Sequence, residues 1–282
     1  MRIRISGRTS ILCAIALSFL AIAAPALSQT IRYLSDEEAL ALEHETRFAR
    51  LKRWAQTYGI SPAPEFRNYV IPRSFMPADF HYDIPVLRII FPENTFFDTA
   101  SSRIKPSAIP IIRAMAATLD GDVPDVSVFV SGHADARGSD VYNHNLSVDR
   151  ARAVAELLNE TRTKPTPVWS IGFGKSVPLY PNTDDRNMSY NRRVEFLLGS
   201  RPDAIAYWLQ DQVVDVCRSS DAANRLRCMR DFQKERKQFV AERVVTRKVS
   251  IGEVRKSVPP PAPERITIRL NERRVRVQSI EH

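Results

Sequence analysis

Short apolar runs bounded by turn residues alternate with helical periodicity through the middle of the chain. Four runs predict β-strands: 86–91, 126–135, 166–174 and 191–198. Two segments with apolar residues at helical spacing, 104–119 and 143–160, predict helices between them. The resulting β-α-β-α-β-β order predicts an α/β two-layer sandwich over residues 86–200, with helices on one face of a mixed sheet.

The region before this sandwich predicts one helix and one irregular segment. Residues 29–60 read as an N-terminal helix, because Ser35 and Glu38 form the sequence signature of a capping box ahead of an apolar stripe. Residues 61–85 contain five prolines. Proline fixes φ and removes a backbone donor, so we expect an extended linker, or a strap that lies over the domain.

The region after the sandwich predicts a helical hairpin and a tail. Residues 201–250 read as two helices, 202–217 and 222–245. Cys217 and Cys228 are an even pair in a chain with an export signal, which predicts a disulfide that staples the hairpin, with two reduced thiols as the alternative. Residues 251–282 hold a proline-rich spacer followed by a short basic strand.

The N-terminus reads as a targeting segment. Residues 1–28 combine three arginines, an apolar run and a small-x-small site before Gln29, which predicts a cleaved signal peptide and export. The alternative is an uncleaved anchor over residues 11–27, a run at the lower edge of what spans a bilayer. If the signal is cleaved, we expect no stable membrane insertion.

Charge is distributed unevenly along the chain. Residues 29–200 hold 20 Lys and Arg against 21 Asp and Glu, whereas residues 201–282 hold 18 against 11. The basic end is suited to anionic envelope polymers, lipid headgroups or an acidic partner. A solvated helical surface accounts for it equally well, and we predict no nucleic-acid binding.

Arg150 lies on the apolar stripe of the second sandwich helix and therefore requires a charged partner. Asn143 and Ser147 share its helix face, near the helix start, where free backbone N–H groups favour anions. Asp135 follows the strand before this helix, so an acid and a base converge at one rim of the sheet, and Asp98 after the first strand could reach that rim. Together they suit a ligand with both an ammonium and a carboxylate. An internal Asp135–Arg150 salt bridge is the alternative.

Five sequence motifs carry a family resemblance, in the family's order and spacing. Residues 87–198 resemble the OmpA-like peptidoglycan-binding domain found in OmpA proteins, peptidoglycan-associated lipoproteins and flagellar stator proteins. Ala134 departs from the usual threonine, and Met188 stands where arginine is common. The motifs are FFDTASSRI (96–104), GHADARG (132–138), YNHNLSVDRARAV (142–154), GFGKSVPLYPN (172–182) and NRRVEF (191–196).

The resemblance implies a ligand and roles for several residues. It implies non-covalent binding of the diaminopimelate side chain in the peptidoglycan stem peptide, with Asp135 on the ammonium and Arg150 on the carboxylate. Asp98, Thr99 and Asn143 are expected to line the same pocket. Arg192 and Arg193 begin the last strand: either one pairs internally while the other faces glycan, which the sequence does not assign, or both stabilise the fold.

No other chemistry is indicated by the sequence. His133, Asp135 and Ser147 superficially offer a base, a carboxylate and a nucleophile, but no paired oxyanion-hole signal accompanies them. The histidines are scattered, and C-x10-C without a nearby histidine does not suit a metal. We therefore predict no enzyme, no cofactor and no metal.

The predicted role is a periplasmic adaptor of a Gram-negative envelope, either free in the periplasm or associated with the outer membrane. Its partners would be peptidoglycan and an unidentified envelope protein, which contacts the helical or basic C-terminal region. The alternatives are a subunit of an inner-membrane stator or secretion machine anchored by residues 11–27, and a wall-targeted hydrolase.

Overall fold

A seven-stranded mixed sheet organises the part of the chain that the structure describes. The computed structural model describes residues 34–75, 81–122, 126–164, 166–210, 238–245 and 262–269. The helices are α1 Asp36–Thr57, α2 Ile109–Leu119, α3 Asp140–Thr161, α4 Asp185–Asn191 and α5 Pro202–Gln210. The strands are β1 Glu65–Ile71, β2 Ile84–Pro92, β3 Val126–His133, β4 Val168–Gly172, β5 Arg193–Ser200, β6 Gln238–Arg243 and β7 Arg265–Arg269.

The strand order across the sheet is β1-β2-β5-β3-β4-β6-β7. Only β3 and β4 pair in parallel, joined by the crossover helix α3, and every other pairing between these strands is antiparallel. This mixed sheet with α2 and α3 packed on one face confirms the predicted α/β sandwich.

Each face of the sheet carries its own apolar core, because side chains alternate along a strand. On β5, Val194 and Phe196 face α1, α2 and α3, while Leu197 faces α5 and packs near Phe129 and Trp169. The rings of Phe129 and Trp169 stack with centroids 5.5 Å apart. The sheet is therefore covered on its second face as well, by α5, and side chains of β6 and β7 extend this second core along the same sheet.

Helix α1 begins at the predicted capping box. The Ser35 backbone N–H donates to the Glu38 carboxylate at 3.0 Å, and the Glu38 N–H donates to the Ser35 hydroxyl at 3.2 Å. The buried Arg47 guanidinium lies 3.1 Å from the buried carboxylate of Asp122, which follows α2. An apolar stripe that includes Leu51 packs into the core of the helical face. These contacts dock α1 beside α2 as part of the helical layer.

The expected linker over residues 61–85 is partly wrong, because β1 is formed within it. The segment between Pro64 and Pro72 carries the ladder, so these two prolines stay outside β1, whereas Pro85 lies in β2 opposite Val70. Phe66 meets Phe48 of α1 edge-on, with centroids 6.0 Å apart. This contact across 18 positions of sequence favours a strand that the local proline content had argued against.

The prediction of a second helix in the C-terminal hairpin is also wrong for the part of it that the structure describes. Residues 202–210 are helical as predicted, but 238–243 form strand β6, which pairs with the free edge of β4. Phe239 packs on Phe173 with centroids 4.9 Å apart, and Ala241 is fully buried, so a period of two outweighs the helix-forming composition. Cys217 and Cys228, and with them the predicted disulfide, lie outside the described residues.

The basic tail strand joins the same sheet. β7 pairs antiparallel with β6, with Thr267 opposite Val240. Along β7 the pattern is regular: Ile268 is fully buried, whereas Arg265 and Thr267 are exposed. In the part of the chain that the structure describes, no helix has the length and hydropathy needed to cross a membrane. The predicted signal peptide, residues 1–28, lies outside that part.

Candidate functional site

A cavity of about 500 Å³ opens at the rim where β2 and β3 end and α3 and β5 begin. We call it the rim pocket. Residues from these four segments line it: Glu93, Thr99, Ala100, Ala134, Asp135, Arg137, Gly138, Tyr142, Asn143, Leu146, Arg150 and Arg192.

Two glycines set the position of α3 against the rim. A Cβ on Gly132 would lie 2.1 Å from the Ser147 carbonyl oxygen, and one on Gly172 would lie 2.4 Å from the Val148 nitrogen. Neither distance is possible for real atoms, so only glycine lets the helix lie this close to β3 and β4. The Ser147 hydroxyl also accepts from the Gly174 N–H at 2.8 Å. The first two turns of α3 are thereby fixed over the strand ends.

Arg150 is buried, and its partner is Glu93. The Nη1 group donates to Glu93 Oε2 at 2.8 Å, and Nε donates to the Ser101 carbonyl at 2.8 Å. The guanidinium also lies over the Phe97 ring, 5.3 Å from its centroid. Asp135 is not among the carboxylates within ion-pair distance of Arg150, so the internal salt bridge considered as an alternative is not formed.

Asp135 is buried and held by two other arginines. Its Oδ2 accepts from Arg137 Nη2 at 2.6 Å, from Arg137 Nε at 3.0 Å and from Arg192 Nη1 at 2.7 Å, while Oδ1 accepts from the Arg137 backbone N–H at 3.0 Å. Burial by itself raises the pKa of Asp135, but the hydrogen bonds from Arg137 and Arg192 outweigh it and lower that pKa below its ordinary value.

Arg192 links the two acidic residues of the pocket. Its Nε lies 3.6 Å from Glu93 Oε2, while its Nη1 bonds Asp135. The charges therefore alternate along the rim in the order Arg137, Asp135, Arg192, Glu93, Arg150. Three guanidinium groups against two carboxylates leave one excess positive charge at the pocket.

Glu93 belongs to this series of alternating charges, but the sequence analysis did not predict it. It directly follows strand β2, as Asp135 follows β3, and this is the signal that could have found it. Asp98 was considered in its place because it also follows the first strand of the sandwich.

The remaining predicted ligand residues are divided between two cavities. Asn143 is buried in the rim pocket and donates to the carbonyls of Arg137 at 2.7 Å and Asp135 at 3.2 Å, so it shapes the loop after β3. Thr99 is exposed and lines the pocket. Asp98 does not line the rim pocket: its carbonyl accepts from Arg150 at 3.4 Å, and the residue lines an adjacent cavity of about 480 Å³.

Arg193 points away from the pocket into a second, fully buried charge cluster. Its Nε lies 2.5 Å from Glu195, and its Nη2 donates to the Val177 carbonyl at 2.9 Å. Arg88 grips the same carboxylate through two bonds of 3.0 and 2.5 Å. Burial lowers the pKa of Arg193 to about 10 in spite of Glu195. We call Arg88, His133, Arg193 and Glu195 the buried cluster.

His133 and Ser147 do not form a catalytic arrangement with Asp135. His133 Nε2 lies 3.2 Å from the Ser131 hydroxyl and 3.6 Å from Glu195, and its ring stacks on Phe173. The Ser147 hydroxyl donates to the His144 carbonyl at 2.8 Å. Burial, reinforced by the charge of Arg193, lowers the pKa of His133 to about 4. The ring is thus a neutral part of the fold at neutral pH.

The described ranges do not offer a metal site. Those ranges contain no group of three or more His, Cys, Asp or Glu residues positioned to hold a metal ion. The charged groups at the rim are arginine-rich, and arginine is not a metal ligand. The arrangement is suited instead to a small charged organic ligand.

The fold and the rim pocket define an α/β domain that presents a charged site at one sheet edge, and the family comparison gives this class a name. Residues 96–192 match the model of the OmpA family. This part of the chain is therefore an OmpA family domain, extended by further elements on both sides.

Two relatives each match a little over one third of the chain. The chain is 32% identical to outer membrane porin F of Pseudomonas fluorescens over 112 residues, which are 39% of this chain and 34% of the porin. It is 33% identical to the peptidoglycan-associated lipoprotein of Pseudomonas aeruginosa over 100 residues, 36% of this chain and 58% of the lipoprotein. The chain thus spans about one third of the length of the porin and about three fifths of that of the lipoprotein.

A solved structure described as the cell wall anchor of the T6SS from Pseudomonas aeruginosa overlaps this fold with a TM-score of 0.40 and 24% identity. The overlap covers 54% of this chain and 97% of that one.

Proposed function

We propose that this protein binds peptidoglycan non-covalently by holding the free end of a diaminopimelate side chain in the rim pocket. The observation that supports this most is the convergence of Asp135, Arg150 and Asn143 on one cavity of about 500 Å³. An ammonium can bind the carboxylate while a carboxylate binds guanidinium N–H groups. A relative that bears the name peptidoglycan-associated lipoprotein is consistent with this ligand.

Arg150 keeps donors available for such a ligand. A guanidinium has five N–H donors, and three of them go to Glu93, Ser101 and Asp98. Two remain for a carboxylate in the pocket. A charge-assisted hydrogen bond contributes about 1.5–3 kcal/mol net, so two such contacts supply about 3–6 kcal/mol, which by itself corresponds to a Kd between roughly millimolar and tens of micromolar.

The excess positive charge of the pocket supports the same class of ligand. A stem peptide carries several carboxylates, so it is attracted to a rim with three guanidinium groups and two carboxylates. A neutral sugar would gain nothing from that excess. The proposed ligand is therefore the peptide part of the wall, with the glycan outside the rim pocket.

Binding to purified diaminopimelate-type sacculi tests this proposal. The test variants are Asp135→Asn and Arg150→Lys, both close in shape to the native residue. Lysine is preferred to alanine because Arg150 is buried against Glu93, so alanine would damage folding as well as binding.

Matched controls come from the same helix. Asp149→Asn and Arg152→Lys change an exposed pair 3.7 Å apart, one and two residues from Arg150. We expect each test variant to lower the fraction bound at least about tenfold, and the controls to bind like the wild type. Folded test variants that bind as well as the controls would remove the rim pocket as the wall-binding site.

We further propose an adaptor role in the periplasm, between the wall and another envelope component. The elements outside the matched family region support it, because α1, β1, α5, β6 and β7 add surfaces beyond residues 96–192. Arg265 and Thr267 are exposed on β7, and Arg265, although it lies 3.0 Å from Glu242, still presents a positive charge to an acidic partner. The proposal includes no catalysed reaction, since the His133 and Ser147 side chains are engaged elsewhere.

Site-specific photo-crosslinking tests the adaptor role. A crosslinker at Thr267 of the full chain, in its native envelope, is expected to capture one envelope protein reproducibly. A crosslinker at Arg113, exposed on α2, serves as the control. Identical products from both positions would argue against a specific partner at β7.

A further inference from the structure

The side chain of Arg137 already bonds to the Asp135 carboxylate, which is the group that the ammonium of the proposed ligand needs. Its Nε and Nη2 both donate to Asp135 Oδ2, at 3.0 and 2.6 Å. Arg137 lines the rim pocket, yet its side chain is 60% exposed. It therefore lies at the pocket mouth over a carboxylate that is itself 6% exposed.

The Oδ2 atom of Asp135 has no acceptor capacity left in this state. A carboxylate offers about four lone-pair sites, two on each oxygen. Oδ2 accepts from Nε and Nη2 of Arg137 and from Nη1 of Arg192, while Oδ1 accepts from the Arg137 backbone N–H. An ammonium that binds Oδ2 must therefore replace one of these side-chain donors.

Of these donors, the Arg137 side chain is the one that can leave. The backbone N–H is part of the loop that Asn143 fixes. Arg192 is half as exposed, at 30%, and is also held by Glu93. The Arg137 guanidinium has a second position within reach, because its Nη1 lies 3.9 Å from the carboxylate of Asp185, which is 94% exposed at the start of α4.

We propose that Arg137 determines specificity as an internal competitor, which the ligand ammonium displaces from Asp135 toward Asp185. This inference rests on the proposed function and names the head group that the pocket selects. Only a cation can replace a guanidinium on a buried carboxylate without leaving that carboxylate short of positive partners. A neutral amide or hydroxyl in the same place would break the ion pair with Arg137 without forming another.

Two substitutions separate competition from simple attraction. Arg137→Lys keeps the positive charge but cannot reproduce a planar fork with two N–H groups on one oxygen. Arg137→Gln removes the charge. Arg113→Lys on the exposed face of α2 is the matched control. The probe is a soluble disaccharide-tripeptide with a free diaminopimelate end, beside the same compound with that amine acetylated, both measured by calorimetry.

Competition predicts tighter binding of the free-amine probe to both variants. A partly exposed ion pair supports an increase in affinity of about two- to tenfold. The acetylated probe should bind the wild type at least about tenfold more weakly than the free amine. The control should match the wild type.

The failures of this inference and of the proposed function are distinguishable. Unchanged or weaker binding by either variant, with the wild type binding the free-amine probe, overturns the competitor and makes Arg137 a direct contact or a bystander. Equal binding of the two probes by the wild type overturns the selection of a cation. No binding by the folded wild type contradicts the proposed function itself.

Discussion

The rim pocket and the buried cluster are both built from arginines and carboxylates, and two consecutive residues divide between them. Arg192 precedes β5 and lies at the rim, with a side chain that is 30% exposed. Arg193 is the first residue of the strand and is 1% exposed. The same type of side chain thus meets solvent at one position and the interior of the protein at the next.

The difference shows that pairing geometry decides what an arginine does. Arg193 and Glu195 face the same side of the sheet because side chains alternate along β5, and Arg88 on the neighbouring strand β2 reaches the same carboxylate. At the rim, water and loop side chains can exchange with the ion pairs. In the buried cluster nothing can, so its charges serve the fold.

The largest expected effect is on the buried cluster. Glu195→Gln leaves Arg88 and Arg193 buried without a counter-charge, so the free energy of unfolding should fall by about 3–5 kcal/mol. Glu93→Gln at the rim should cost less, about 1–3 kcal/mol, because Arg192 is partly solvated. Urea unfolding of both variants measures the difference. Equal losses would show that the two clusters contribute alike.

The next effect is a pH dependence of stability from His133. Its pKa in the folded protein is about 4, against 6.5 for the unfolded chain, because burial disfavours the charged ring. Between pH 6.5 and pH 4 the unfolded chain therefore binds a proton that the folded protein does not. The free energy of unfolding should fall by about 3 kcal/mol across that window as pH is lowered, and His133 should contribute no pH dependence above it.

His133→Gln isolates this contribution. Glu195 also loses stabilisation as pH falls, since its pKa lies well below the ordinary value: burial opposes this, but Arg193 and Arg88 outweigh it. The informative quantity is thus the difference in unfolding free energy between wild type and variant at each pH. A difference that stays constant from pH 7 to pH 4 would assign the ring a normal pKa.

The smallest effect should separate the two neighbouring arginines. Arg192→Lys keeps a charge between Asp135 and Glu93 but loses the planar fork, so we expect sacculus affinity to fall about three- to tenfold and the unfolding free energy to change by less than about 1 kcal/mol. Arg193→Lys should instead lower the unfolding free energy and leave sacculus affinity unchanged. Binding and unfolding assays on both variants provide the check. If both variants lose affinity and stability to the same extent, Arg192 and Arg193 do not have different roles.

Much of the fold follows from local pattern, but two strands do not. The sandwich order and the start of α1 at Ser35 follow from periodicity and capping. Strand β1 depends on Phe48, and β6 depends on Phe173, through contacts between segments that are distant in sequence. Local composition argued for a linker and a helix there, because a single sequence does not reveal which distant ring will cover a strand.

The site was predictable to a similar degree. Asp135 and Arg150 were placed at one rim because strand ends and helix starts meet there, and the structure puts both in the rim pocket. Glu93 was missed although it follows β2 in the same way. The alternation of Arg193, Val194 and Glu195 could have assigned Arg193 to the interior, but only once the start of β5 was known.

Gly132 and Gly172 have a consequence for how this protein tolerates mutation. Every side chain larger than hydrogen at these positions pushes α3 off the sheet, and with it Asn143 and Arg150. A saturation-mutagenesis map scored by wall binding would therefore rank both glycines beside Asp135. Neither glycine has a side chain that could contact a ligand. The positions where substitution is least tolerated on such a map are therefore not all ligand contacts.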